Sequence, residues 1–323
     1  MITVAFAAAT HAGNRRTLNE DSFCAMSPVF MVADGMGGHA SGEVASALAT
    51  GAVGSMAATD GVDPSHVRET VREANRIIHQ RSAGATRGMG TTLTGLVVAK
   101  WTTPHLAVVN VGDSRTYCWS SERGLQQITV DHSQVQELID SGAITVEEAA
   151  THPERNVVTR ALGIDPDVDV DVFLVPAAVG QRWLACSDGL TGELSTDQIA
   201  ALLAEGDVST AAAALVDATV AGPARDNVTV VVVDVVDIEM LEDLDRTDPR
   251  GALDITAPNP RLRPAADLPA PPPPPAAGDL AVIDDVPLSA APLPPPTVAP
   301  TVIDGVPDAL DVVAPSPNDP RGE

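Results

Sequence analysis

Val29-Phe-Met-Val-Ala-Asp34-Gly-Met-Gly-Gly-His-Ala40 is an apolar run of strand length that delivers an acid to its end and then breaks into glycines. The spacing Gly35-x-Gly37-x-x-Ala40, after a strand and before an Ala-rich segment, nearly matches the turn that cradles a dinucleotide pyrophosphate in a doubly wound sheet. Two features oppose that reading. The carboxylate of Asp34 would point at the pyrophosphate, and no strand ending in an acid follows about 20 residues on. Asp63-Pro64 stands there instead, an N-cap with proline at the first helical position. Asp34 therefore reads as an acid waiting for something positive.

The flanking elements point the same way. Ile2–Thr10, Ser22–Met26 and Val29–Ala33 read as strands, and Ala40–Ala58 and Asp63–Gly84 as two consecutive helices. In the second, Val67, Val71, Ala74, Ile77 and Ile78 recur at helical spacing. Strands follow at Thr91–Trp101, Leu106–Val111, Arg115–Trp119 and Leu125–Thr129, with a hairpin break at Ser120–Gly124. Short helical pieces are expected at Gln134–Ser141, Val146–Thr151 and Val157–Leu162. Val168–Val175 and Arg182–Ser187 then read as strands, Thr196–Ala204 and Ser209–Ala221 as helices, and Val228–Val236 as a buried closing strand. Runs of strands broken by pairs of helices do not make a doubly wound sheet. They predict an α+β domain over residues 1–237, with sheets packed on each other and helices outside.

Beyond Asp237 the pattern stops. Residues 238–323 hold 20 of the 27 prolines, none of the eight aromatics, and 15 acids against 5 bases. Proline-dense stretches such as Leu268–Pro275 favour extended polyproline conformation, so a disordered tail over 238–323 is expected. Within it Val282-Ile-Asp-Asp-Val-Pro287 is echoed by Val302-Ile-Asp-Gly-Val-Pro307, which reads either as a doubled docking motif or as low-complexity drift.

The chain's formal charge of −25 leaves no basic surface for nucleic acid or for anionic membranes. No apolar run reaches the roughly 18–20 residues of a spanning helix, and no basic region precedes the apolar N-terminus. Cys24, Cys118 and Cys186 form no CxxC pair, lie in strand-like segments and read as reduced core residues. A cytoplasmic monomer is expected.

Four carboxylates sit where strands run out into turns: Asp34, Asp113 in Val111-Gly-Asp-Ser-Arg115, Asp188 in Cys186-Ser-Asp-Gly189, and Asp226 in Arg225-Asp-Asn227. Any one of them alone is an ordinary cap or turn residue. Four at strand ends are expensive unless paired or bound to a cation, and an oxygen-only donor set suits Mg²⁺ or Mn²⁺ rather than zinc. A glycine after Asp34 and after Asp188 is expected to permit a sharp turn and to leave a carbonyl oxygen open. Upstream, Arg16-Thr-Leu-Asn-Glu-Asp21 sets a guanidinium, suited to phosphate, near a carboxylate between two strands.

In this order the motifs resemble the metal-dependent Ser/Thr protein phosphatases of type 2C in their compact bacterial form. The resemblance covers roughly residues 3–236. It runs through Arg16-x-x-Asn19-Glu20-Asp21, Asp34-Gly35-Met-Gly-Gly-His39 with Gly42-Glu43, and Gly90-Thr91-Thr92. It continues through Gly112-Asp113-Ser-Arg115, Asp131-His132-Ser133, His152-Pro153, Arg160-Ala-Leu-Gly163, Ser187-Asp188-Gly189 and Asp226-Asn227-Val-Thr229. Each is weak alone; the ordered series is specific.

The resemblance implies a four-layer αββα sandwich, two packed antiparallel sheets flanked by helices. It implies hydrolysis of phosphoserine and phosphothreonine in proteins by a hydroxide activated between two Mg²⁺ or Mn²⁺ ions, opposing a bacterial Ser/Thr kinase. Partners would be phosphoproteins, such as Ser/Thr kinases or their targets. Asp34 would bridge the two ions, Asp188 and Asp226 would complete one, and the Gly35 carbonyl would serve the other. Glu20 and Asp21 would hold ion-bound waters. Asp113 would ligate a third ion, helped by the segment near Asn156, and Arg16 would clamp the phosphate.

One position departs from the family. Animal members carry a histidine directly after the Asp-Gly pair; here Met36 stands there and His39 lies three further on. Whether His39, a water or neither protonates the leaving group is open, and His39 also reads as a plain loop histidine. His132 and His152 read as capping or packing residues. Two rival functions differ in class. One is a catalytically inactive phosphatase fold acting as a sensor or binding module, against which no carboxylate of the series is replaced. The other is a Pro-rich scaffold carrying the domain as passenger.

Overall fold

The computed structural model describes residues 1–37, 41–58, 61–82, 88–239 and the backbone of 301–305. Its described elements run β1 (Ile2–His11), β2 (Ser22–Met26), β3 (Val29–Ala33), β4 (Gly35–Gly37), α1 (Ser41–Gly54) with a 3₁₀ turn to Ala58, α2 (Pro64–Ser82), β5 (Met89–Thr91), β6 (Leu93–Ala99), β7 (His105–Val111), β8 (Arg115–Ser120) and β9 (Gly124–Gln127). Then come α3 (Gln134–Asp140), α4 (Val146–Ala149), β10 (Asp171–Pro176), β11 (Arg182–Cys186), α5 (Asp188–Thr191), α6 (Thr196–Leu203), α7 (Val208–Val220), β12 (Val228–Ile238) and β13 (Thr301–Gly305).

Two antiparallel sheets carry the domain, ordered β13-β1-β12-β11-β8-β9 and β10-β7-β6-β3-β2. β12 shows why its sequence is apolar almost throughout. Side chains alternate faces along a strand. Val231, Val233 and Val235 enter the layer between the sheets with Phe6, Phe30, Leu96 and Trp183. Val228, Val230 and Val232 face the opposite way, against Leu190, Leu203, Leu215 and Val216 of α5, α6 and α7. The second sheet is covered in turn by α1 and α2 through Ala45, Ala49, Val67, Val71 and Ile78. Three apolar layers between four layers of secondary structure make the expected αββα sandwich. Among the described residues no helix is long and apolar enough to cross a membrane.

Two local expectations are corrected. Thr91–Trp101 is not one strand: it breaks at Thr92, whose backbone and hydroxyl turn aside to bond Asp34. Val157–Leu162 is not helical. Its backbone is drawn out by single bridges, Val158 to Ser133 and Leu162 to Thr91, so tertiary pairing overrides a short and weak helical signal. All three cysteines are free, Cys24 and Cys186 buried and Cys118 half-buried. Burial alone pushes the Cys24 thiol up to about 11. β12 runs through Ile238, and β13 lies inside the Pro-rich tail; the rest of that tail, 240–300 and 306–323, is outside the described residues.

Candidate active site

Strand register gathers the acids. Cys186 pairs with Val230 and with Arg115, and His11 with Val228, so the ends of β1 and β11 and the starts of β8 and β12 share one edge of the first sheet. Ser22 pairs with Ala33 and Leu93 with Val111, which brings the start of β2 and the ends of β3 and β7 to one edge of the second sheet. Asp21 and Asp34 adjoin those strand ends directly, and Asp113, Asp188 and Asp226 lie one residue further out. Residues more than two hundred positions apart therefore meet at one end of the sandwich.

Short polar links lock the loops together. Asp34 offers its carbonyl to the Thr92 N–H at 2.9 Å and to the Thr91 hydroxyl at 2.8 Å, and its own N–H donates to the Thr92 hydroxyl at 2.9 Å. Thr92 also bonds the Ser114 hydroxyl at 2.7 Å, joining the Asp34 turn to the Asp113 turn. The amide of Asn227 holds the Arg16 loop from three sides: it donates to the carbonyls of Ala12 (3.0 Å) and Leu18 (2.8 Å) and accepts the Glu20 N–H at 2.8 Å. Ser187 donates to Asp21 at 2.8 Å, and Ser46 of α1 donates to the Glu20 carbonyl at 2.5 Å. Thr91, Thr92, Ser114 and Ser187 lie in motifs the sequence singles out, though not for these bonds, whereas Ser46 carries no sequence signal because serine is common and its partner is remote.

The glycines after the acids are not required by a special backbone conformation. Neither Gly35 nor Gly189 adopts a positive φ. A Cβ on Gly35 would stand 2.3 Å from the Gly42 carbonyl oxygen and 2.4 Å from that of Glu20, and one on Gly189 would stand 1.8 Å from the Asn227 carbonyl oxygen. They are glycine because another loop of the site passes against them.

The charges are unbalanced. Asp34 is held well above the usual carboxylate range by burial first, then by Asp21, Asp188, Asp113 and Asp226. Asp188 is raised by burial and by Asp226, with Asp34, Arg16 and Arg115 acting the other way. Burial pushes Asp113 up to about 7, with Asp188 and Asp131 adding to it. Burial likewise pushes Asp21 up to about 7 against the Thr229 and Ser187 hydroxyls. Glu20 Oε1 and Asp21 Oδ1 are buried without a hydrogen-bond partner. Positive charge comes from Arg16, whose Nη2 lies 2.7 Å from Asp226 Oδ2 with the side chain 52% exposed. It comes also from Arg115, which forks onto both oxygens of Asp131 (Nε to Oδ1 3.0 Å, Nη2 to Oδ2 2.7 Å).

Among the described residues no three acidic, histidine or cysteine side chains meet at a common ligand point. The donor chemistry nevertheless fits cations: a buried all-oxygen cluster, two orphaned carboxylate oxygens, and proton affinities raised by mutual repulsion. The expected third-ion helper, Asn156, is exposed and makes no hydrogen bond to Asp113. His39 lies outside the described residues. His132 and His152 are structural: His132 Nδ1 accepts the Gly112 N–H at 3.0 Å, and His152 Nδ1 accepts that of Glu154 at 3.2 Å.

The family model described as Protein phosphatase 2C matches residues 10–218. The serine/threonine protein phosphatase PstP of Mycobacterium tuberculosis is 38% identical over 245 residues, which are 74% of this chain and 46% of that protein. The chain thus spans less than half the length of that relative. The serine/threonine phosphatase stp of Listeria monocytogenes is 36% identical over 185 residues, 54% of this chain and 71% of that one. Among solved structures, that of M. tuberculosis PstP/Ppp superposes with a TM-score of 0.68 at 37% identity, covering 73% of this chain and all of the other. The catalytic domain of PstP in complex with 2 manganese ions superposes at 0.65 with 37% identity, covering 73% of this chain and 100% of that one.

Proposed function

Since this chain belongs to the 2C family of protein phosphatases, we propose that it hydrolyses phosphoserine and phosphothreonine in proteins with the aid of two Mg²⁺ or Mn²⁺ ions. The observation that supports the reading is that Asp34, Asp113, Asp188 and Asp226, from four separate loops, lie near enough at one end of the sandwich to raise one another's proton affinity, with Arg16 bonded to Asp226. Asp34, Asp188, Asp226 and the Gly35 carbonyl would hold the two ions, Asp113 a third. When bound, such ions neutralise the carboxylates and make water a nucleophile near neutral pH.

The chain's own groups do the rest. Among the described residues one N–H of Arg16 is spent on Asp226. The remaining donors of its fork suit two oxygens of a phosphate dianion. The buried acceptors Glu20 Oε1 and Asp21 Oδ1 suit water. Among the described residues, the Ser187 hydroxyl donates to Asp21 and burial pushes the Cys186 thiol up to about 12, so neither is a ready nucleophile. Water attacking phosphorus in line breaks the ester bond, releasing inorganic phosphate and a serine or threonine hydroxyl. A protein of charge −25 repels a phosphopeptide, so the local positive charge of Arg16 and of bound ions must set the field at the site. Substrates would be the targets of a Ser/Thr kinase, or the kinase itself, met by a monomer in the cytoplasm.

Hydrolysis of a phosphothreonine peptide, with Mn²⁺ titrated in from a chelated start, tests the reading beside Asp188→Asn. Activity that appears with metal and collapses in the variant supports it. Activity without metal overturns it. A protein silent under all metals that still binds phosphopeptide would be a binding module instead.

A further inference from the structure

β1 reads Ile2-Thr-Val-Ala-Phe-Ala-Ala-Ala-Thr-His11, ten residues without proline, Asp, Glu, Lys or Arg. One side of it pairs with β12 along its whole length, Ile2 to Ile238 through His11 to Val228. Its other side would be the rim of the sheet. A long uncharged rim strand is a template for any further strand, and proteins generally blunt it with charge, proline or a cover.

Here the cover comes from the chain's own tail. Thr301–Gly305 runs antiparallel to Phe6–Thr10 in the register Thr301 to Thr10, Val302 to Ala9, Ile303 to Ala8, Asp304 to Ala7 and Gly305 to Phe6. It also lies beside α7 and β2. The sequence supplies a second and independent observation. These residues open Val302-Ile-Asp-Gly-Val-Pro307, one of two copies of a motif in a segment otherwise rich in proline. Adjacent β-branched residues favour a strand, and Pro300 and Pro307, which cannot donate to a ladder, bracket it.

We propose that the outer side of β1 is a strand-addition site, and that its occupant is the Thr301–Gly305 segment of the same chain. A five-residue strand binds weakly by itself. Belonging to the same chain raises its effective concentration at β1 to the order of millimolar. Register also selects between the copies. Position 305 stands opposite Phe6, which packs between the sheets at 9% exposure. Glycine places nothing there, whereas the other copy would bring the carboxylate of Asp285 to that apolar position. The strap ends at the functional end of the molecule: Thr301 meets Thr10, whose hydroxyl accepts from Asn19 at 2.8 Å and pairs with the Thr229 hydroxyl at 2.7 Å.

Hydrogen exchange on the full chain, followed by mass spectrometry, tests this without any activity readout, so its outcome is separate from that of the phosphatase reading. Ile303→Pro removes a ladder donor from the tail and leaves the domain sequence intact. Exchange of the Phe6, Ala8 and Thr10 amides, which alternate to the β13 side, should rise about 10-fold or more in that variant while Ala7, Ala9, β11 and β12 stay unchanged. A synthetic Thr301–Pro307 peptide at millimolar concentration should restore the protection. Equal exchange in parent and variant overturns the proposal. Protection in the variant that is lost on scrambling 282–287 assigns the site to the other copy, against the register argument. Protection that grows with protein concentration, with a dimer in light scattering, assigns the occupant to a second molecule and overturns the intramolecular strap.

Discussion

Arg16 Nη2 stands 2.7 Å from Asp226 Oδ2, so the residue suited to clamp phosphate is bonded to one suited to hold a cation. The two roles are coupled: a cation on Asp226 competes with the guanidinium for the same oxygen. Arg16→Ala should therefore tighten Mn²⁺ binding, measured by calorimetry. It should also raise KM for a phosphopeptide, with a loss of roughly 10- to 100-fold in kcat/KM, the worth of one or two charge-assisted hydrogen bonds. Weaker metal binding in the variant would contradict the competition.

The buried acids make stability depend on pH in an unusual direction. Burial raises Asp21 and Asp113 each to about 7, from the roughly 4 of a free aspartate. Between those values the folded protein binds more protons than the unfolded chain, so stability falls as pH rises. In chelator, Tm should drop from pH 5 to pH 7.5, and saturating Mn²⁺ should flatten the slope by replacing the protons. A chelated protein whose Tm rises over that range would show that these groups are not buried as charges-in-waiting.

Gly189→Ala places a methyl 1.8 Å from the Asn227 carbonyl oxygen, against backbone that cannot swing away. We expect at least the roughly 1–3 kcal/mol cost of an overpacked core, read from denaturant midpoints. Metal affinity should fall as well, because Asp188 and Asp226 flank the two residues forced apart.

His132 accepts the Gly112 N–H and is flanked by Asp171 (3.3 Å) and Arg160 (2.9 Å). His132→Ala leaves a buried donor unpaired beside Asp113, at a cost of about 1–3 kcal/mol. Urea unfolding should register that loss, and with little other change if the residue is structural.

Arg182 spans β11 and β12 by forking onto Asp234 at 2.6 and 2.7 Å, and its remaining donor contacts reach the carbonyls of Leu203 (2.7 Å), the last residue of α6, and Gly206 (3.0 Å) beyond it. Asp234→Ala would leave a largely buried guanidinium without its counter-charge. A loss of about 3 kcal/mol is expected in denaturant unfolding, since breaking a buried pair strands a charge.

How far the fold was legible depended on period and length. β2 and β3 were readable to the residue, because short apolar runs bounded by polar turns have one explanation. α2 was readable from Asp63-Pro64 and its helical spacing. The three-residue strands β4 and β5 were not, since nothing distinguishes Gly35–Gly37 as a strand until Met89–Thr91 lies beside it. The Val157–Leu162 segment was misread for the same reason: its extended form comes from Ser133 and Thr91, which lie far from it in sequence.

The sequence by itself determined most of the strands and helices and a packing of sheets with helices outside, because burial imposes a periodicity. It singled out the strand-end carboxylates, because unpaired acids there must be accounted for; the αββα order came from the family resemblance. Only the tertiary structure decided how those acids stand toward one another. Asp34 meets Asp188, and Asp226 meets Arg16, through strand registers that join distant parts of the chain. The tertiary structure also decided which hydroxyls and amides hold the loops, why Gly35 and Gly189 must be glycine, and where Thr301–Gly305 sits. Local patterns are short-range consequences of burial, whereas a site of this kind is a sum of long-range contacts that no single segment encodes.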